Sequence, residues 1–149
     1  MIIVESSVVV PRPITEVEDF VSDVANDPKW NPEVLSAARA QPGAEATTNF
    51  DVELKPFMGV STCTMRVSRD TAAHVTRIAG SPVRWIEALA TYTFESVDGG
   101  TRVTRHCAIQ VSGVWRLMEP IMRWQIAKKK DEMLAGLRAF LSRTDPRVL

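Results

Sequence analysis

The sequence has no surplus of charge, with eighteen basic residues against eighteen acidic ones. Without a net field to draw in a polyanion, nucleic-acid binding has no global electrostatic support. The one basic run, Lys128-Lys129-Lys130, is short and sits beside Asp131 and Glu132, the pattern of a solvated helix face. Cysteine is almost missing. Cys63 and Cys107 are the only two and lie far apart without a CxxC spacing. That excludes a disulfide framework and reads as small buried thiols in a reducing compartment. No apolar run is long enough to span a bilayer. The N-terminal MIIVESSVVV is broken by Glu5, Ser6 and Ser7 and carries no basic leader, so no export signal is expected there. The expectation is a cytoplasmic protein without stable membrane insertion.

The usual signatures of catalysis are missing as well. There is no GxSxG, no HExxH, no Gly-rich phosphate loop and no metal-ligand spacing. Histidine occurs twice, as His74 and His106. His106 adjoins Cys107 on a strand, so the two point to opposite sides and cannot share a zinc ion. The expectation is no metal and no cofactor.

What is present fits one core. A chain of 149 residues, 45% hydrophobic and 24% charged, is expected to form a single domain over residues 1–149. Ile2, Val4, Val8 and Val10 share one parity, the period of a half-buried strand, and Pro11 and Pro13 end it. Ile14, Val17, Phe20, Val21 and Val24 then fall at helical spacing, with Thr15 and Glu18 as a capping box. In the stretch NDPKWNPEV, Asp27 is placed to cap a very short second helix that Pro32 stops, which sets Trp30 on a corner.

From Val34 to Val111 the chain reads as about six strands of an antiparallel meander. The turn signals are Gln41-Pro42-Gly43, Lys55-Pro56 with Gly59, Arg69-Asp70-Thr71, Gly80-Ser81-Pro82 and Asp98-Gly99-Gly100. A long helix follows, with Met122, Ile126, Met133, Leu137, Phe140 and Leu141 on one stripe and its end near Arg143. The layout is α+β: a curved antiparallel sheet of about seven strands against a long C-terminal helix. A strongly curved sheet cannot lie flush along a straight helix, so a hollow is expected between them. Left vacant, an apolar space of about 300 Å³ would forfeit on the order of 7 kcal/mol. That approaches a domain's whole stability of about 5–15 kcal/mol, so the hollow is expected to be occupied.

Strand parity says which side chains meet the hollow. A two-residue hairpin at Asp98-Gly99 or Gly99-Gly100 puts Ile86, Ala88, Ala90, Tyr92 and Phe94 on one face with Val103, Arg105, Cys107, Ile109 and Val111. Phe50, Val52, Leu54, Cys63, Met65 and Val67 join them. Ala88 and Ala90 leave volume unfilled, and an inward Arg105 requires a partner. That partner is either a structural ion pair or a ligand's carboxylate, phosphate or carbonyl. Trp85 and Leu89 fall on the outer face, through a parity error or as an apolar patch for a protein partner. The helix front, VWRLMEPIMRWQI, is apolar nearly all round. Its Trp115, Met118 and Met122 are expected either in deep core or walling the cavity.

The opening VESSVVVPRPITEVEDFVSDVANDPKWNPEV, the hairpin YTFESVDGGTRVT and the closing LAGLRAFLSR resemble the START-like (SRPBCC), helix-grip superfamily, in particular its bacterial polyketide cyclase/dehydrase and lipid-transport group. The likeness covers nearly the whole chain. It implies a START/Bet v 1-like fold with two short helices after the first strand. It also implies carriage of a hydrophobic small molecule, such as a lipid, polyketide or isoprenoid, and makes Trp30 similar to a residue that seals sheet against helices. The expected ligand-facing set is Trp30, Phe50, Val52, Met65, Ala88, Ala90, Tyr92, Arg105, Cys107, Trp115, Met118 and Met122. A cyclase, aromatase or dehydratase working through Arg105 and Tyr92 is the alternative, and a protein-interaction module is the third reading.

Overall fold

Alternation alone accounts for the first strand. In β1 (Ile2–Val10), Ile2, Val4, Ser6 and Val10 are buried while Ile3, Glu5 and Ser7 face solvent. The computed structural model describes residues 1–40, 48–57 and 60–143. Within them the chain continues through α1 (Ile14–Ser22), a 3-10 turn (Val24–Asn26) and α2 (Asp27–Trp30). Six strands follow, β2 (Val34–Arg39), β3 (Thr48–Phe57), β4 (Val60–Asp70), β5 (Val75–Val83), β6 (Ile86–Val97) and β7 (Gly100–Val111). A second 3-10 segment (Gly113–Met118) leads into α3 (Glu119–Arg143), 25 residues long. The seven strands form one curved antiparallel sheet in the order β1-β7-β6-β5-β4-β3-β2. This is the helix-grip architecture.

Consecutive strands β1 and β2 occupy opposite edges of the sheet, so the chain between them must cross. The short helices make that crossing. Ser22 Oγ meets Thr76 Oγ1 of β5 at 2.7 Å, which fastens α1 over the sheet. The capping box does not form. Pro13 occupies the N-cap of α1 without a side-chain bond, and Glu18 is buried, accepting from His74 Nδ1 at 2.8 Å with Arg69 at 3.9 Å. A carboxylate held inward by the His74 ring and the Arg69 guanidinium is not available to the helix terminus. α2 starts one residue earlier than the sequence suggests, with Asn26 at the N-cap and Asp27 in the first turn.

The hairpins follow the expected turns in part. Val97 pairs with Gly100, so Asp98-Gly99 is a two-residue turn, and the faces of β6 and β7 fall as parity predicts. Gly100 has φ +146°, and a Cβ there would strike the Val10 carbonyl, so only glycine fits. Gly80-Ser81-Pro82 is not a turn. It lies inside β5 across a register irregularity, and the chain reverses at Arg84-Trp85, because Val83 pairs with Ile86. The signals at Gln41-Pro42-Gly43 and at Gly59 lie outside the described residues.

α3 lies over the concave face. At its C-terminal end Leu134, Leu137 and Leu141 enter the main core with Phe20, Trp30, Phe50 and Phe94, and Phe140 stacks on Phe20 at 5.4 Å. A smaller cluster, Ile2, Val4, Ile86, Val111 and Met122, occupies the other end. Gly136 makes the first contact possible, because a Cβ at that position would collide with the Trp30 carbonyl.

At a free helix position Gly→Ala stabilises by about 1 kcal/mol. At position 136 the sign reverses, since α2 backbone must yield. Gly136→Ala is expected to destabilise by about 1–3 kcal/mol, read as a lower denaturant midpoint at unchanged slope.

Candidate functional site

Between the two apolar clusters the inner face of the sheet is floored with small residues. Gly80 opposes Ala88, and Ala88 opposes Ile109; Ile78 opposes Ala90, and Ala90 opposes Cys107. With little side chain to meet α3, a cleft of about 250 Å³ remains, lined by Ala88, Arg105, Cys107 and Ile109 from the sheet and by Met122, Ile126 and Met133 from the helix. Leu54, Pro82 and Ile86 extend the apolar wall. The cleft is open to solvent. Glu33 and Lys129 stand at its edge, 3.4 Å apart. Water therefore reaches it, and the cost of a sealed empty cavity does not apply.

One row of the inner face is polar. Register aligns Ser6, Arg105, Tyr92 and Thr76 across β1, β7, β6 and β5. Arg105 Nε donates to Tyr92 Oη at 3.2 Å, with the guanidinium 6.0 Å from the ring centroid. Among the described residues no ion pair engages Arg105. Burial works against its charge, yet Tyr92 and Cys107 more than offset that and its pKa is raised. The group is a permanent cation. Burial also pushes the Tyr92 hydroxyl up, so it keeps its proton.

Asp27 completes the cluster from α2. Its carboxyl is buried and its pKa is pushed up to about 8, chiefly by burial, against the opposing pull of Arg105 and with a further push from Asp23. At neutral pH it carries a proton. Asp27 Oδ1, Ser6 Oγ and Trp30 Nε1 are buried without a protein hydrogen-bond partner among the described residues. The cation that lines the cleft thus bonds a buried phenol and lies within electrostatic reach of a neutral acid, and Arg105 itself suits a carbonyl or carboxylate at the end of an apolar molecule.

The expected ligand-facing residues divide into four groups. Ala88, Arg105, Cys107 and Met122 line the cleft, while Tyr92 is buried in the main core and accepts a hydrogen bond from Arg105. Trp30, Phe50 and Val52 are closed into the main core, with Met65 and Ala90 packed against it. Met118 packs against the smaller cluster. Trp115 is on the outside, half exposed and stacked on Trp85 at 4.4 Å. The helix front is not deep core, because Leu117, Ile121 and Trp124 are exposed with it. Nor do Trp85 and Leu89 share an outer patch. Trp85 sits in the β5–β6 turn and packs inward against the smaller cluster, while Leu89 alone faces out.

Sequence reasoning missed Ser6 and Asp27. Ser6 has the same parity as Ile2 and Val4, which was the available signal for an inward polar group. Asp27 has a plain helix-start reading that hid it. His106 pairs with Glu5 and Thr91, on the face opposite Cys107.

A family model described as polyketide cyclase / dehydrase and lipid transport matches residues 1–141. No curated protein sequence is significantly similar to the chain. Among solved structures, a protein of Thermus thermophilus superposes with a TM-score of 0.77 at 17% identity, over 94% of this chain and 97% of that one. The Zhui aromatase/cyclase of Streptomyces sp. R1128 gives 0.69 at 16% identity, over 99% and 95%. A START superfamily protein from Mycobacterium smegmatis gives 0.69 at 16% identity, over 95% and 97%. At these identities the likeness is one of fold.

Asp27 also has a stability consequence. Its folded pKa of about 8 lies above the ordinary 3.8, so the folded state holds a proton that the unfolded chain releases. The group's contribution is fully present below about pH 4 and is lost as pH rises through about 8, at up to about 1.4 kcal/mol per unit. Asp27→Asn is expected to flatten this fall, so that the variant melts above the parent at pH 8 and near it at pH 4. Thermal melts across that range make the comparison.

Proposed function

The chain belongs to the polyketide cyclase/dehydrase and lipid transport family, and on that footing we propose that it acts as a single ligand-binding unit whose cleft holds a hydrophobic small molecule by its polar end. The fold family binds hydrophobic small molecules. The observation that carries the proposal is Arg105, a cation inside an apolar cleft with no carboxylate partner among the described residues. Arg105 is partly buried and the open cleft admits water to it, so a ligand oxygen would exchange that water for a direct charge-assisted hydrogen bond. A volume of about 250 Å³ falls just below the usual ligand pockets, which run from about 300 Å³ upward, and favours a compact ligand such as a short chain or a few fused rings. Cytoplasmic residence belongs to the same proposal, since both cysteines are free thiols and a reducing compartment keeps them so.

A second reading is favoured by one observation. Asp27, protonated at neutral pH, lies within electrostatic reach of Arg105 and Tyr92, the pairing that would polarise and protonate a ligand carbonyl during cyclisation or dehydration. The Zhui structure, an aromatase/cyclase by name, has the same fold. Binding and catalysis separate by substitution. On the cyclase reading Arg105→Ala and Tyr92→Phe lose turnover while an apolar ligand still binds.

The binding reading is tested by native mass spectrometry of the purified chain and by titration with an apolar fluorescent probe. A co-purified apolar molecule is expected. Ala88→Phe, which fills the cleft floor, should abolish probe binding with the fold retained by circular dichroism. Arg105→Met should weaken a carboxylate-ended apolar ligand by at least about tenfold and its neutral analogue far less. Probe binding indifferent to both substitutions would overturn the proposal.

A further inference from the structure

The outward side of the helix front does not follow the rule that large apolar side chains gather inside. Leu117 is 84% exposed and Trp124 64%, and Val114, Trp115 and Ile121 are exposed with them. Contiguous exposed apolar surface of this kind marks a contact region in a stable protein. It is also organised. Ile121, Trp124 and Lys128 recur at i, i+3 and i+7 on the solvent side of α3, while Met122 and Ile126 face the sheet. The 3-10 segment adds Val114, Trp115 and Leu117, braced from beneath by the stack of Trp115 on Trp85.

The charge around this surface is one-sided. Between Gly113 and Lys130 there are five basic residues and one acidic one, Glu119, in a chain whose total is balanced. Lys129, paired with Glu33, and Lys130 belong to the cleft side, which leaves Arg116, Arg123 and Lys128 for the outward surface. Glu119 is already engaged by the Met1 ammonium at 2.6 Å and by Arg123 at 3.5 Å. Arg116 and Lys128 join no ion pair among the described residues, and Lys128 lies 5.0 Å over the Trp124 ring. Exposed Trp, Leu and Ile flanked by unneutralised Lys and Arg are the composition of a helix lying in a lipid–water interface. The surplus positive charge specifies anionic headgroups. No described helix is long and apolar enough to cross a bilayer, which leaves attachment at the surface.

From this we propose that the segment Gly113–Lys130 docks the protein peripherally on an anionic lipid surface. Val114, Leu117, Ile121 and Trp124 enter the acyl boundary, and Arg116, Arg123 and Lys128 meet the lipid phosphates. Gln125 and Lys129, one position further along the helix than Trp124 and Lys128, line the cleft, so docking sets the cleft edge beside the bilayer. The inference rests on the surface alone and holds whatever the cleft contains.

The test is co-sedimentation of the full chain with vesicles of phosphatidylcholine alone and of phosphatidylcholine mixed with phosphatidylglycerol. Binding to the mixed vesicles only, weakening as salt is raised, is expected. Leu117→Ser with Trp124→Ser should abolish it, and Arg116→Gln and Lys128→Gln should each weaken it about fivefold. These two charge changes, both at exposed positions, keep the test valid if the double apolar variant does not fold. Absence of binding to the anionic vesicles would overturn the proposal. So would binding that ignores all four substitutions, or a vesicle-free assembly of two copies that the same substitutions dissolve.

Discussion

The contact between Gly136 and the Trp30 carbonyl sets the geometry of everything else. A straight helix of 25 residues can lie close to a curved sheet at only some of its length. Where α2 backbone meets α3 without a Cβ between them, the two layers close and the main core fills. Further fastenings hold that end. Phe20 stacks on Phe140, and Arg12 Nε donates to the Leu141 carbonyl at 2.9 Å, satisfying an acceptor the last helical turn leaves open. With one end closed and the other held by Met122 in its own cluster, the curvature is left to show in the middle. The sequence there supplies Gly80, Ala88 and Ala90, so the gap stays a cleft.

The polar row across that cleft is an electrostatic compromise. An Arg in an apolar interior would ordinarily be matched by an ionised carboxylate, and Asp27 is the candidate within reach. Burial prevails over attraction, however, and the acid keeps its proton up to about pH 8. Arg105 is therefore left with neutral partners, Tyr92 and Cys107, which satisfy hydrogen bonds but not charge. The same arrangement gives Asp27 an O–H donor at neutral pH beside its remaining acceptor oxygen. Arg105, which lines the cleft, selects for oxygen acceptors on whatever enters it.

The order of elements and the seven strands were legible in the sequence, and so was the inner face of β6 and β7, because the two-residue turn between them carries parity from one strand to the next. Legibility failed where a local signal competed with a distant one. Gly80-Ser81-Pro82 looks like a turn, but Gly80 admits the Cys63 thiol against the strand, and Ser81 Oγ donates to the Ile86 carbonyl at 3.0 Å. Glu18 looks like a cap until His74 and Arg69, about fifty residues away, claim it. The polar half of the site was only partly readable. Arg105 and Tyr92 stand out on an apolar face, whereas Asp27 acquires its character from burial that no spacing announces.

The helix front carries the other lesson. A segment apolar all round is expected to be buried, and VWRLMEPIMRWQI is half buried at most. Its inward residues already suffice for packing, because Met122 enters the smaller cluster fully and Met118 and Ile126 close against it. The outward Leu117, Ile121 and Trp124 add nothing to that core and gain nothing from water. Stability by itself would favour polar residues at those positions, as the second half of the same helix has them. One helix therefore presents two apolar stripes with different occupants, one meeting the sheet and the cleft, the other meeting something outside the protein. The surplus of Arg and Lys on the outward stripe, in a chain whose total charge is balanced, gives that outside partner its sign.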